Sequence, residues 1–231
     1  MWPPSGGYFL KMMCLETNAM SDLPATPEGD PSEAERDRHR AKMQRRKEVQ
    51  DREVAEKTIE KGLIAVHTGP GKGKSTAAFG LALRMLGYER KVVVVQFIKG
   101  AWDTGERRAL ARFGDLAQFH ALGEGFTWET QDRERDIAAC KRAWEQACVA
   151  LAREDVALVV LDELNIALRY GYLDEATVLA GLGSRPAHQH VVITGRNAPA
   201  WLIEAADLVT EMTLVKHHFR DGVKAQQGFE F

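Results

Sequence analysis

From Gly62 onward the chain alternates short apolar runs with amphipathic ones. Residues 63–67 form a short apolar run that reads as a strand, and a glycine-rich turn follows it. Residues 75–86 read as a helix, with Ala78, Leu81, Ala82 and Met85 on one face. Residues 91–97 carry four consecutive valines and read as a second strand. Short and long helices are expected over 106–113 and 131–153. A third apolar strand over 156–161 ends in Asp162-Glu163. Helix 174–182, strand 190–194, helix 199–206 and strand 208–212 complete the series, with Pro199 in the first turn of its helix. Continuous apolar runs mark strands covered on both faces, as in parallel sheets. Strands alternating with helices imply βαβ units, hence an α/β fold with a doubly wound, mostly parallel sheet.

The region before Gly62 behaves differently. Residues 32–60 are dense in Arg, Lys, Glu and Gln, with almost no large apolar side chain. Ser32 and Glu35 stand at capping-box spacing, so a polar helix is expected here. Such a helix cannot bury a full face. It reads most simply as solvated, or as an arm that folds onto a ligand or a partner subunit. Residues 1–20 lack the basic start and continuous apolar middle of a signal peptide, and residues 21–31 are rich in Pro, Gly, Asp and Ser. They read as a disordered tail and linker, with Met20 a second plausible start. The expected organisation is tail 1–31, polar helix 32–60 and α/β domain 61–231.

Composition narrows the function classes. A chain of 231 residues suits one large α/β domain better than two thin ones. A formal net charge of −2 gives no sign of a nucleic-acid partner. No apolar run approaches the ~20 residues that span a bilayer, so no membrane partner is expected. Cys14, Cys140 and Cys148 cannot all pair, and none has Cys-x-x-Cys spacing. They read as reduced thiols of a cytoplasmic protein. Cys140 and Cys148 share a helix face, most simply a buried one.

The strongest chemical signal is Gly69-Pro70-Gly71-Lys72-Gly73-Lys74-Ser75-Thr76, placed between a strand and a helix. Glycines let successive backbone N–H groups turn toward one anion. The positive end of the following helix adds to that attraction. Lys74 supplies a mobile charge, and the Ser75 hydroxyl can ligate Mg²⁺. The usual phosphate-loop pattern places its first glycine where Thr68 stands, and Gly69 comes one position late. The second signal is Asp162-Glu163 after an apolar strand, a frequent partner of such a loop and a Mg²⁺ site. Spacing does not decide which of the two acids meets the ion. Phe126 and Trp128, in Gly125-Phe126-Thr127-Trp128, suit a ligand or partner if exposed; by pattern alone core packing is the simpler reading. Trp102 follows the second strand, where α/β sheets place ligand loops. His217 and His218 are expected on an extended segment, pointing to opposite sides and not sharing one ion.

Taken together, these segments resemble the P-loop corrinoid adenosyltransferases, which act on cob(I)yrinic acid a,c-diamide or cob(I)alamin. The likeness runs through 67–80, 95–100, 125–130, 161–165, 193–196, 206–212 and 215–226, and covers roughly residues 36–231. In this family the late first glycine is usual. Pro70 and Ser75 replace the Asn and Thr of some relatives. The resemblance implies a RecA-like P-loop fold. It also implies attack of a corrinoid Co(I) on the 5′ carbon of ATP, with triphosphate as the leaving group. ATP is held reversed relative to kinases. Residues 69–76 would bind the nucleotide, with Arg84 a further contact, and Ser75 and Glu163 would hold Mg²⁺. Lys74 would serve the leaving group. Phe126 and Trp128 would form an apolar wedge that displaces an axial base of the corrin and favours reduction. The polar helix resembles a segment that covers the nucleotide in relatives. An electron donor such as a flavoprotein and a homodimer are implied as well.

Overall fold

The computed structural model describes residues 32–98, 104–123 and 132–230. The tail expected over 1–31 lies outside them, as do Cys14, Trp102, Phe126 and Trp128. The chain divides into two units, Met1–Glu60 and Lys61–Phe231.

In the first unit, helix α1 spans Glu33–Ala55. Ser32 and Glu35 form the expected capping box. The Glu35 amide donates to Ser32 Oγ at 3.3 Å, and the Ser32 amide donates to Glu35 Oε2 at 2.8 Å. None of its residues is buried, as its lack of apolar periodicity requires.

In the second unit the elements follow in the order β1 (Ile64–Thr68), α2 (Lys74–Gly87), β2 (Lys91–Gln96), α3 (Gly105–Ala111), β3 (Ala117–Ala121), α4 (Arg133–Leu151), β4 (Val156–Asp162), α5 (Leu164–Arg169), α6 (Glu175–Gly183), β5 (His190–Thr194), α7 (Ala200–Ala205) and β6 (Leu208–Glu211). Single 3₁₀ turns cover Gly114–Leu116 and His218–Asp221. The strands form one six-stranded sheet in the order β3-β2-β4-β5-β1-β6. Every neighbouring pair is parallel. One strand, β5, therefore separates the loop strand β1 from the acidic strand β4, the RecA-like arrangement expected. No helix among the described residues is long and apolar enough to cross a membrane.

Alternation along each strand splits the apolar residues between two faces. Val93, Val95, Val159, Leu161, Val191 and Ile193 pack with α4, α6 and α7 through Trp144, Ala147, Leu182 and Leu202. Val92, Val94, Leu158, Val160 and Val192 pack with α2 and α3 through Ala78, Phe79, Leu86 and Leu110. Helices on both faces make the sheet doubly wound. Two elements lay outside the sequence reading, β3 and α5. Pro199 caps α7 from outside and does not form its first turn. Cys140 is buried in the α4 layer while Cys148 is only half-buried. Burial pushes the Cys140 thiol up to about 12, which keeps it unreactive.

Two glycines test this packing with opposite signs. A β-carbon at Gly181 would lie 2.5 Å from Trp144 Cζ2. At Gly80, exposed in α2, it would meet nothing within 4 Å. Gly181→Ala is expected to lower stability by about 1–3 kcal/mol through overpacking. Gly80→Ala is expected to raise it by about 0.5–1 kcal/mol by restricting the unfolded chain. Thermal unfolding midpoints that move in the same direction for both would contradict this account.

Candidate nucleotide site

The loop begins where β1 ends. Thr68 still belongs to the strand: its carbonyl accepts from the Met212 amide at 2.9 Å, and its Oγ1 accepts from the Ala198 amide at 3.1 Å. The turn starts at Gly69, whose φ of 92° is left-handed. This is why the first glycine comes one place late. Gly73, at φ 102°, makes the second left-handed step and caps α2. The chain leaving β6 crosses close to the loop. A β-carbon at Gly69 would lie 2.5 Å from the Met212 carbonyl oxygen, and one at Gly71 2.5 Å from that of Thr213. The Gly71 amide donates to the Met212 carbonyl at 2.6 Å. That loop amide is thus committed to the protein. The first amides of α2, from Lys74 and Ser75 onward, have no intrahelical acceptors and carry the helix's positive end.

Lys74 is 7% exposed. Its Nζ donates to the carbonyls of Gly69 at 2.8 Å and Gly71 at 2.5 Å, spanning the loop from inside. Burial holds its ammonium below the usual lysine range, and the positive charges of Arg196 and Lys72 act in the same direction. The Glu163 carboxylate opposes them. Lys74, Glu163 and Arg196 therefore share one electrostatic neighbourhood, although they come from α2, the turn after β4 and the turn after β5.

The two acids differ in surroundings. Asp162 is 0% exposed. Its Oδ1 accepts from Thr194 Oγ1 and its Oδ2 from Gln96 Nε2, both at 2.7 Å. Glu163 leaves the strand with φ 62° and is half-buried. Its Oε2 lies 3.2 Å from where a Gly195 β-carbon would stand. Among the described residues, no group of three or more His, Cys, Asp or Glu side chains could hold a metal alone. The half-buried Ser75 hydroxyl and Glu163 carboxylate are oxygen donors of the kind Mg²⁺ takes, alongside phosphate oxygens and water.

Other expected residues fall elsewhere. Pro70, Lys72, Gly73 and Thr76 are exposed along the loop and the first turn of α2. Arg84 is not brought to the loop; it lies exposed in the last turn of α2, about 15 Å along the axis from Lys74. The two histidines need correcting. Their rings stack, with centroids 4.8 Å apart and planes 22° from parallel, because a 3₁₀ turn begins at His218 and removes the alternation of an extended segment. His218 Nε2 lies 3.1 Å from Glu230 Oε1, and Glu230 Oε2 lies 2.6 Å from Lys72 Nζ. The Lys72 ammonium holds the Glu230 carboxyl below its usual range. Sequence reasoning assigned no role to Gln96, Thr194, Arg196 or Glu230. The first three carry a recoverable signal, a polar residue at or just past the end of an apolar strand.

Gly71→Ala tests the crossing. Its β-carbon cannot be accommodated without moving the loop off Met212. An ATP affinity about tenfold weaker is expected, together with a lowered melting temperature, since ~1–3 kcal/mol of strain falls on the loop. Calorimetric titration with ATP checks it, and unaltered affinity would show that the loop does not need this contact.

The comparisons agree with one another. A family profile described as ATP:corrinoid adenosyltransferase BtuR/CobO/CobP matches residues 60–231. A second, described as cob(I)alamin adenosyltransferase N terminal, matches residues 30–54. A corrinoid adenosyltransferase of Pseudomonas aeruginosa is 58% identical over 194 residues, covering 84% of this chain and 96% of that protein. One from Sinorhizobium sp. is 54% identical over 214 residues, covering 92% and 100%. One from Escherichia coli is 47% identical over 195 residues, covering 84% and 98%. A transferase is what these matches describe, and the chain belongs to the ATP:corrinoid adenosyltransferase family.

Proposed function

We propose that this protein transfers the 5′-deoxyadenosyl group of ATP to the Co(I) of a reduced corrinoid, in cobalamin synthesis or salvage. The observation that carries the reading is a phosphate loop with Lys74 buried inside it, in a chain matched over 60–231 by the ATP:corrinoid adenosyltransferase profile. The cobalt electron pair attacks the ribose 5′ carbon and forms the Co–C bond. The C5′–O bond breaks, and its electron pair leaves with triphosphate. Displacement at carbon needs two aligned reactants and stabilisation of charge on the departing oxygen.

The residues divide these tasks. The loop 69–76 receives the phosphates. Lys74 can turn its ammonium from the Gly69 and Gly71 carbonyls to phosphate oxygens without leaving the loop. Ser75 and Glu163 would hold Mg²⁺, whose charge offsets that of the triphosphate. Arg196 adds a positive charge beside them. Phe126 and Trp128 are assigned, by resemblance, to the corrin side, where an apolar wedge displaces the axial base and eases reduction. The protein would work in the cytoplasm as a homodimer, supplied with electrons by a donor such as a flavoprotein.

Product analysis tests the reaction. ³¹P NMR of a mixture containing ATP, Mg²⁺ and chemically reduced corrinoid should show intact triphosphate, equal in amount to adenosylated corrinoid. Lys74→Ala should slow its formation about a hundredfold, the usual loss for one charge-stabilising contact. ADP with orthophosphate as stoichiometric products would mean attack at phosphorus and would remove the adenosyltransferase reading.

The wedge has a separate test. Phe126→Ala and Trp128→Ala should depress activity much more when the assay starts from Co(II) than from pre-reduced Co(I). Equal losses in the two assays would assign these side chains to corrinoid binding or packing instead.

A further inference from the structure

Four adjacent strands carry a single polar row at their ends or, in β1, one residue before the end. Gln96 on β2 is in register with Asp162 on β4. Asp162 and Thr194 directly follow the paired Leu161 and Ile193. His67 on β1 is in register with Thr194. All four are buried. By strand alternation they face α2, above the valines and Leu158 of that layer. The row reaches the loop helix, because His67 Nδ1 lies 3.2 Å from the Lys74 carbonyl oxygen.

The bonds in this row have a direction. Gln96 Nε2 and the Thr194 hydroxyl each donate to one oxygen of Asp162. A hydroxyl has one proton, so Thr194 Oγ1 has only lone pairs left to offer. One of them accepts the Glu163 amide at 2.9 Å. That amide belongs to a residue at φ 62°, a left-handed conformation that a side chain makes costly and that surrounding structure must enforce. Asp162 thus sets the direction of the Thr194 hydroxyl, and Thr194 pins the turn that carries the Glu163 carboxylate, which lies within electrostatic reach of Lys74. The neighbouring turn completes the clamp. Asn165 Nδ2 donates to the Gly195 carbonyl at 2.9 Å.

We propose that Gln96, Asp162 and Thr194 are positioning residues for the Glu163 carboxylate, and that Asp162 is not itself a metal ligand. The proposal rests on the assignment of Mg²⁺ to Ser75 and Glu163 above. A carboxylate that accepts from two flanking strands while wholly enclosed serves the chain, not the ion. Asparagine can replace it in that role. Its Oδ1 accepts from Thr194, and its amide donates to a flipped Gln96.

The test needs no turnover. ATP is titrated calorimetrically into the full-length protein with and without Mg²⁺, and the ratio of the two affinities gives the metal's contribution. Thr194→Val should reduce that ratio about tenfold, the usual effect of losing a group that orients a metal ligand. Thr194→Ser should preserve it. Glu163→Gln should erase it, and Asp162→Asn should leave it close to the unaltered protein's. Loss of the ratio in Asp162→Asn, alongside Glu163→Gln, would make Asp162 a ligand and overturn the proposal. A full ratio in Thr194→Val would overturn it independently, even if the Asp162 variant did not fold. A full ratio in Glu163→Gln would instead sink the Mg²⁺ assignment.

Discussion

The close passage of the chain after β6 over the phosphate loop sets the terms for the rest of the site. Two backbone bonds make it, from the Met212 amide to the Thr68 carbonyl and from the Gly71 amide to the Met212 carbonyl. Nothing larger than glycine fits at Gly69 or Gly71 beneath it. The contact explains the presence of β6, a strand whose four residues are all exposed. Burial does not recommend such a strand. Its value is positional: pairing with β1 delivers Met212 to the loop. The loop is then shaped from outside by Met212 and from inside by the Lys74 ammonium.

How much of this could be read from residue order depends on how local the cause is. The valine run of β2 and the apolar runs of β1, β4 and β5 are buried on both sides, so composition alone marks them. β3 reads Ala-Gln-Phe-His-Ala and is only half-buried at a sheet edge, so it carries no apolar run. α5 has six residues and follows directly on the left-handed Glu163 without a side-chain cap. No start signal announces it. The phosphate loop and the Asp162-Glu163 strand end were legible because each is contiguous, though contiguity does not separate the two acids. Gln96 and Thr194 were not, because their partner Asp162 is 66 and 32 residues away in sequence. Only strand order brings them into one row. The histidine pair failed for a related reason: a 3₁₀ turn is set by contacts downstream, and alternation is the wrong period for it.

The buried polar row also shows where this fold places its unfavourable burial. Enclosing a carboxylate is costly unless its oxygens are bonded, and removing one partner of such a group costs more than the pair contributes. Valines fill the same strands one turn of the pleat below, so an apolar residue at 162 would suit the layer's packing. What it could not do is fix the Thr194 hydroxyl. The strands therefore change from apolar to polar at the one level where the sheet stops being core and starts to hold the site.

The far end of the chain belongs to the same region. Between Met212 and Glu230 the backbone leaves the loop and returns to it, touching Gly71 from one end and Lys72 from the other. The two contacts are not equivalent. The Met212 contact is made of backbone groups within a steric fit that no rotamer change can relax. The Glu230 contact joins two side chains, and Lys72 is 56% exposed, so solvent screens it and side-chain freedom opposes it. Strain applied to the loop is therefore carried by β6 and its continuation, while the pairing at Lys72 can be exchanged without disturbing the frame that holds Lys74, Ser75 and Glu163.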